Sequence, residues 1–406
     1  MKIKHIPTGG VTTTPGFKAS GVHCGIRKNK TKRDLALIVA DRTCNAAAVY
    51  TTNKVQAAPI HLTMENLKNG LAKAILCNSG NANACAPNGA EAAKAMTDAT
   101  AKALKIDPKD IIVNSTGVIG VELPVDAIIA ATPALVAELS TDNEPVTEAI
   151  MTTDTFPKSY AVEVEIGGKT VTIGGIAKGS GMIHPNMATM LAFITTDCNI
   201  SSQLLSKAIK NSTAVTYNCV SVDGDTSTND MAAILASGTA ENPLIDTKNA
   251  DFQLFQEALN TVNLHLAKEI ARDGEGATKL IICKVSGAKD EDTALMMAKS
   301  VICSSLVKSM IFGEDANGGR VLCALGYSGA DFNPHTVDVN FLSQAGEISI
   351  YKQSIGLAFD EDEAKKILSQ KEITIDVNLH GGNATAQAYG CDLTYDYVKI
   401  NGDYRT

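Results

Sequence analysis

Between residues 161 and 195 the chain spells out three strands and one interruption, and this stretch limits the fold more than any other. Ala161-Val-Glu-Val-Glu-Ile166 alternates apolar and polar residues, Gly167-Gly168 tolerates positive φ, and Lys169-Thr-Val-Thr-Ile173 alternates again. The expected product is a β-hairpin closed by a two-residue turn. Gly174 to Pro185 is glycine-rich, ends in proline, and is expected to be irregular. Thr189-Met-Leu-Ala-Phe-Ile-Thr195 then reads as a continuous apolar strand, which needs cover on both faces.

The flanking chain mixes both element types. Leu35–Ala40, Ala46–Tyr50, Ala74–Cys77 and Ile111–Val113 read as strands, Ala90–Leu104 as a helix, and Leu135–Met151 as partly helical. Further on, helices are expected at Ser202–Lys210, Phe252–Arg272, Asp290–Ser309 and Glu361–Ser369. Strands are expected at Val220–Val222, Lys279–Val285, Val337–Phe341, Ile348–Lys352, Ile373–Leu379 and Thr394–Ile400. The fold class is therefore α/β: layered α+β, with largely antiparallel sheets covered by helices. At 406 residues two or three domains are expected. Trp is absent and aromatics are 4%, so the core must be built from small and β-branched side chains.

Composition narrows the partners. The formal charge is 36 − 44 = −8, which disfavours nucleic acid and anionic membrane. The short basic run Arg27, Lys28, Lys30, Lys32, Arg33 reads as a solvated loop. Ten cysteines lie far apart without a C-x-x-C pair, as expected of small core residues in a reducing compartment. Residues 1–18 lack the apolar stretch of a secretory signal, so the expected location is the cytoplasm.

Three constellations can carry chemistry, and each has a plain structural alternative. A threonine hydroxyl needs a base, and a free α-amine on the same residue can serve. Thr189, at the head of a strand after a cleavable loop, meets that requirement; it also suits a threonine placed there for β-propensity alone. Backbone N–H groups in Asn114-Ser-Thr-Gly117 could hold an oxyanion, or simply form a glycine turn after a strand. Glu275, in Asp273-Gly-Glu-Gly276, could meet an ammonium group or water.

Other patterns fall short. Asp223-Gly-Asp-Thr-Ser-Thr-Asn229 starts like a calcium loop but has Thr228 where Gly is required and Ile234 where Glu is required. Gln387-Ala-Tyr-Gly-Cys-Asp392 imitates an acyl-CoA loop and fails at its last position. No phosphate cradle of the usual kinds occurs, and the histidines show no metal spacing, with His184 a loop residue.

Lys178-Gly-Ser-Gly-Met-Ile-His-Pro-Asn-Met-Ala-Thr-Met-Leu191 strongly resembles the self-processing segment of the ornithine acetyltransferase (glutamate N-acetyltransferase) family of arginine biosynthesis. The likeness runs over essentially the whole chain: Gly21-Val-His-Cys-Gly25, Ser115-Thr-Gly-Val-Ile-Gly120, Thr152-Thr-Asp-Thr155, Asp273-Gly-Glu-Gly-Ala-Thr-Lys279 and Gly390-Cys-Asp-Leu-Thr-Tyr-Asp-Tyr-Val-Lys-Ile-Asn401. The resemblance implies an amino-terminal-nucleophile-like fold shared with related self-processing aminopeptidases. It implies scission between Ala188 and Thr189 into pieces 1–188 and 189–406, of 188 and 218 residues (406 − 188), which stay together and form an α2β2 heterotetramer. Thr189 would carry acetyl from N-acetylornithine to glutamate, with Thr116 and Gly117 as the oxyanion pair. Thr152, Lys178, Thr189, Glu275, Asn401 and Thr406 would contact substrate. No metal or cofactor is implied; acetyl-CoA is an optional second donor. The alternatives on such a scaffold are an aminopeptidase or amidohydrolase using water as acceptor, and an uncleaved ligand-binding protein.

Overall fold

A computed structural model describes residues 3–184 and 190–403, arranged as two compact units. The first comprises Met1–Gly179, Pro185–Asn218 and Thr226–Leu266, and the second Ser180–His184, Cys219–Asp225 and Ala267–Thr406.

The described strands of the first unit are β1 (Lys4–Ile6), β2 (Phe17–Val22), β3 (Leu35–Tyr50), β4 (Leu71–Asn81), β5 (Ile111–Val118), β6 (Lys158–Ile166), β7 (Lys169–Lys178), β8 (Leu191–Thr196) and β9 (Met231–Ala236). They pair in the order β1-β6-β7-β8-β9-β3-β4-β5, with β2 against β3. Its helices are α1 (Ala58–Asn66), α2 (Gly89–Leu104), α3 (Val125–Ala137), α4 (Glu144–Ile150), α5 (Ser202–Val215) and α6 (Ala250–Arg272), whose last turns belong to the second unit.

β3 organises this unit. Its first half pairs with β2 and β4, a register shift falls between Val39 and Cys44, and its second half pairs with β9. Successive side chains on a strand point to opposite faces. Leu35 and Leu37 accordingly join one core with Met96, Ile128 and Leu135 of α2 and α3, while Ala36, Ile38 and Ala40 join another. That second core also contains Ile176, Leu191, Phe193 and Met231 from β7, β8 and β9. The sheet thus doubles over a core rich in alanine, giving the layered α/β arrangement.

The hairpin forms as expected: Ile166 pairs with Lys169, and Gly167 and Gly168 take φ +57° and +76°. Its second strand, however, runs through Gly174 and Gly175 to Lys178. Glycine here serves close approach, because a Cβ on Gly174 would lie 2.1 Å from the Gly10 carbonyl oxygen and one on Gly175 2.7 Å from Ile194.

In the second unit β10 (Leu280–Ala288), α7 (Glu291–Cys303), α8 (Ser305–Phe312), α9 (Gly318–Gly326), β11 (Asp338–Ser343), β12 (Gly346–Lys352), β13 (Ile355–Gly356), α10 (Glu361–Leu368), β14 (Glu372–Asn378), β15 (Ala384–Cys391) and α11 (Tyr395–Asn401) follow in order. The sheet order is β13-β12-β11-β14-β10-β15, and only β10–β14 is parallel among the described pairs. Alternate residues of β11 and β14, such as Val339, Phe341, Ile373 and Ile375, pack with Met297, Val301, Met310 and Ile367 from the helices.

Several expectations change here. Asp290–Ser309 is two helices, because the Ser304 hydroxyl accepts from Val307 N and starts α8. Thr394–Ile400 is a helix; Thr394 donates to the Gly276 carbonyl and tertiary anchoring overrides β-branched propensity. Val220–Val222 reduces to one bridge, Val220 with Tyr389. The acyl-CoA-like Gln387–Asp392 segment lies mostly in β15, paired with β10, and so is not a loop. All ten cysteines are free and six are buried, but Cys85 and Cys323 are exposed. No single described helix is long and apolar enough to cross a membrane; the bent pair α7–α8 passes by composition, yet Val301, Ile302, Met310 and Ile311 lie in the core.

Asp197, just past β8, is 3% exposed and accepts from Thr172 N at 2.7 Å. Burial, with a smaller contribution from Glu163, pushes its carboxyl up to about 6 despite the opposing hydrogen bonds. The folded chain therefore holds a proton that the unfolded chain releases near pH 4, and stability falls as pH rises from about 4 to about 6. Asp197→Asn keeps the acceptor and removes this loss. Thermal midpoints of variant and wild type should converge near pH 4 and separate in the variant's favour above pH 6.

Candidate active site

Within the first unit the candidate residues gather at one end of the doubled sheet. Lys178 closes β7 and stands in register with Leu191, the first residue of β8. Leu191 is also in register with Met231 of β9, and Met231 N donates to the Met190 carbonyl at 2.9 Å. Two residues before Met231, Asn229 reaches the end of β5: its Nδ2 donates to the Ser115 carbonyl at 2.7 Å, and its own carbonyl accepts from Asn114 Nδ2 at 2.9 Å. One sequence-adjacent run, Asn229–Met231, thus links the strand carrying Thr116 and Gly117 to the head of β8.

Asn114–Gly117 is not the turn expected from its glycine, because β5 continues to Val118. The ladder with β4 is shifted at Gly80 and Asn81, and Gly117 takes φ +135°. A Cβ on Gly117 would stand 2.3 Å from the Gly80 carbonyl carbon, so only glycine fits. Thr116 is 9% exposed beside it.

Lys178 is 7% exposed and belongs to a charged cluster that the sequence reading did not identify. Asp154 accepts from Lys158 Nζ at 2.8 Å, Gly179 N at 2.7 Å and Thr152 N at 2.9 Å, and lies 3.9 Å from Lys178 Nζ. Both Asp154 and Lys158 side chains are fully buried. Burial alone would raise the Asp154 carboxyl; Lys158 and Lys178 overcome it and hold the group well below the usual carboxylate range. Thr152 and Lys178 are therefore set by the same carboxylate. The motif Thr152–Thr155 contained the signal, in an acidic residue two positions after Thr152.

In the second unit Glu275 is 5% exposed and its Oε2 accepts from Asn401 Nδ2 at 2.6 Å. Two residues picked 126 positions apart are thus in contact. Glu275 N donates to the Ser180 carbonyl, and a Cβ on Gly181 would lie 2.3 Å from the Glu275 carboxyl carbon. The glycine loop leaves space for this carboxylate. Tyr397 nearby has its phenol raised above the ordinary value by burial and by Asp223, Glu275 and Asp225, an acidic surrounding suited to a cation.

Asp223 of the rejected calcium pattern accepts from Met182 N at 2.7 Å and Ile183 N at 2.9 Å, so its carboxylate caps backbone. His184 Nδ1 lies 3.0 Å from Ser221 Oγ, and burial followed by Lys299 lowers the ring's affinity for a proton. Among the described residues no group of three His, Cys, Asp or Glu side chains is arranged to hold a metal. Ala188, Thr189 and Thr406 lie outside the described residues.

A family model described as the ArgJ family matches residues 18–406. The chain belongs to the ArgJ family. Arginine biosynthesis bifunctional protein ArgJ 1 of Clostridium acetobutylicum is 51% identical over 406 residues, spanning 100% of this chain and 99% of that protein. The ArgJ protein of Thermotoga neapolitana is 50% identical over 395 residues, covering 96% and 99% respectively. The crystal structure of the arginine biosynthesis bifunctional protein from Bacillus halodurans matches at 48% identity and a TM-score of 0.50, over 52% of this chain and 97% of that one. In this ArgJ chain the contact of Asn401 with Glu275 and the Asp154 tie between Thr152 and Lys178 connect four of the residues chosen from sequence.

Lys158→Met should leave the Asp154 carboxylate buried without its nearest cation. A stability loss of about 3–5 kcal/mol is expected in denaturant titration. Asp154→Asn combined with Lys158→Met should recover part of that loss, since no uncompensated carboxylate remains.

Proposed function

We propose that the chain is a self-processing acetyltransferase of arginine biosynthesis, a glutamate N-acetyltransferase that takes acetyl from N2-acetylornithine through an acetyl-Thr189 intermediate. The observation that carries this reading is the link made by Asn229–Met231 between the Thr116–Gly117 strand and Met190, with Lys178 in register beside Leu191.

In scission the Thr189 hydroxyl attacks the Ala188 carbonyl, the peptide nitrogen leaves as an amine, and water hydrolyses the resulting ester. The freed amine then takes the hydroxyl proton as Thr189 attacks the acetyl carbonyl. Thr116 and Gly117 stabilise the oxyanion. The proton passes to the departing α-nitrogen of ornithine, leaving acetyl on the Thr189 oxygen. Glutamate's amine attacks that ester and the steps reverse, giving N-acetylglutamate. Lys178 binds a ligand carboxylate and Glu275, held by Asn401, binds an ammonium group; Thr152 and Thr406 add polar contacts. Acetyl-CoA serves as a second donor, which the bifunctional name of the relatives supports.

Two facts favour scission into pieces that remain together. The register from Ile173↔Thr196 to Lys178↔Leu191 joins a strand of piece 1–188 to one of piece 189–406. The Bacillus halodurans chain, 97% spanned, covers 52% of this one, close to the share 218/406 expected of the second piece. The pieces pair as an α2β2 heterotetramer in the cytoplasm.

Mass analysis of the purified protein should find a chain beginning Thr-Met-Leu-Ala that separates from its partner only in denaturant. Thr189→Ala should yield one inactive full-length chain; normal cutting in that variant contradicts the reading. With N-acetylornithine alone, ornithine release should stop after about one equivalent and continue when glutamate is added. Sustained release without glutamate would identify a hydrolase instead. Glu275→Gln should raise KM for N-acetylornithine about 10- to 100-fold, the range for a lost hydrogen bond to a charged group.

A further inference from the structure

We infer that Asn229 is a positioning residue for the Thr116–Gly117 oxyanion donors, its carboxamide fixing the end of β5 against the backbone that carries the head of β8. The inference rests on the acetyl-transfer reading and gives the Asn229 side chain, so far only a structural link, a role in that reaction.

Asn229 is 3% exposed, and every polar atom of its side chain is engaged. Nδ2 donates to the Ala82 carbonyl at 2.6 Å and to the Ser115 carbonyl at 2.7 Å, while Oδ1 accepts from Thr228 Oγ1 at 2.6 Å. One planar group thus ties the segment after β4 to the end of β5. The main chain adds a third tie, from Asn114 Nδ2 to the Asn229 carbonyl at 2.9 Å. Asn114 Oδ1 in turn accepts from Ser115 N at 2.8 Å, and Ser115 Oγ donates to Asn78 Oδ1 at 2.6 Å. Asn78, Asn114 and Ser115 are wholly buried.

This network surrounds the peptide before Thr116, just ahead of the point where the ladder between β4 and β5 shifts register at Gly80 and Asn81. Beyond Gly80↔Gly117 regular pairing gives out, and Asn81 faces both Thr116 and Val118, so side chains share in setting the orientation of the Thr116–Gly117 backbone. Oxyanion donors act through geometry: removing one costs on the order of 10²–10³ in kcat. The donors engage the tetrahedral state rather than bound substrate, so loosening them lowers kcat and leaves KM nearly unchanged. Among side chains of this size only a carboxamide offers two N–H donors and an acceptor in one plane. Aspartate has the same shape with no donor, and it would face the Ala82 and Ser115 carbonyls with negative charge.

The test compares wild type, Asn229→Asp and Thr228→Val for kcat and KM with N-acetylornithine and glutamate. Inhibition by methylboronic acid is measured alongside, since its tetrahedral adduct on a hydroxyl mimics the intermediate. Asn229→Asp should lose about 100-fold in kcat with KM within about threefold, and its inhibition constant should rise with the loss in kcat. A merely structural role would shift the thermal midpoint without weakening the boronate selectively. Thr228→Val, which removes only the hydroxyl that orients Oδ1, should lose about tenfold in kcat and decides the question where Asn229→Asp is not recovered folded or cut. Wild-type kcat in either folded variant, or a loss wholly in KM, overturns the inference while leaving acetyl transfer standing. A wild-type protein that transfers no acetyl removes both.

Discussion

The Asp154 carboxylate is the interaction on which the candidate site most depends. It gathers two backbone N–H groups, Thr152 and Gly179, and the Lys158 ammonium around one fully buried group, with the Lys178 ammonium at 3.9 Å. A charge so placed is tolerated only when several partners arrive together, because desolvation costs several kcal/mol per ion. The partners come from the turn after α4, the start of β6 and the end of β7. Forming the cluster therefore locks the hairpin and the loop after it in one arrangement. The depressed Asp154 carboxyl adds stability that is complete above the unfolded value near 4 and is lost as pH falls towards its folded value.

Glycine is the second constraint, and it acts by proximity more than by flexibility. At Gly117, Gly174 and Gly181 a methyl group would collide with the Gly80 carbonyl, the Gly10 carbonyl and the Glu275 carboxylate, respectively. Each contact brings a functional group closer to backbone than any other residue permits. Gly174 lies inside a regular strand, which is why glycine content alone misread the end of β7.

Most elements were legible because their signals are local. The hairpin, α2, α5, α6, α10, β10, β12 and β14 follow from period and turn chemistry that neighbours do not override. The errors fall where distant groups decide. α11 carries Tyr, Val and Ile but is held as a helix through Thr394 and Gly276, and β5 extends past its expected end because β4 pairs with it. Motif resemblance singled out Thr152 and Lys178 in the first unit and Glu275 and Asn401 in the second, but neither Asp154 nor Asn229, which hold several partners each. Asn229 sat inside a pattern judged only as a failed calcium loop. A carboxamide used to bridge two carbonyls leaves no periodic trace, so that role appears only in three dimensions.

The charge count around Lys178 shows why the buried ions are arranged in this way. Lys158 and Lys178 bring two positive charges and Asp154 one negative, leaving the cluster one net positive charge. A fourth group, Asp230, is 2% exposed, and Lys178 contributes to the field it feels. Burial raises its carboxyl well above the ordinary value against the pull of Ser227, Lys178 and Thr51, and its Oδ2 has no partner among the described residues. Burial thus favours the neutral form of Asp230, while two backbone donors and a buried ammonium favour the ionised form of Asp154. Were both ionised, the four charges would cancel. The unequal surroundings of two buried aspartates thus favour a net positive charge at the end of β7.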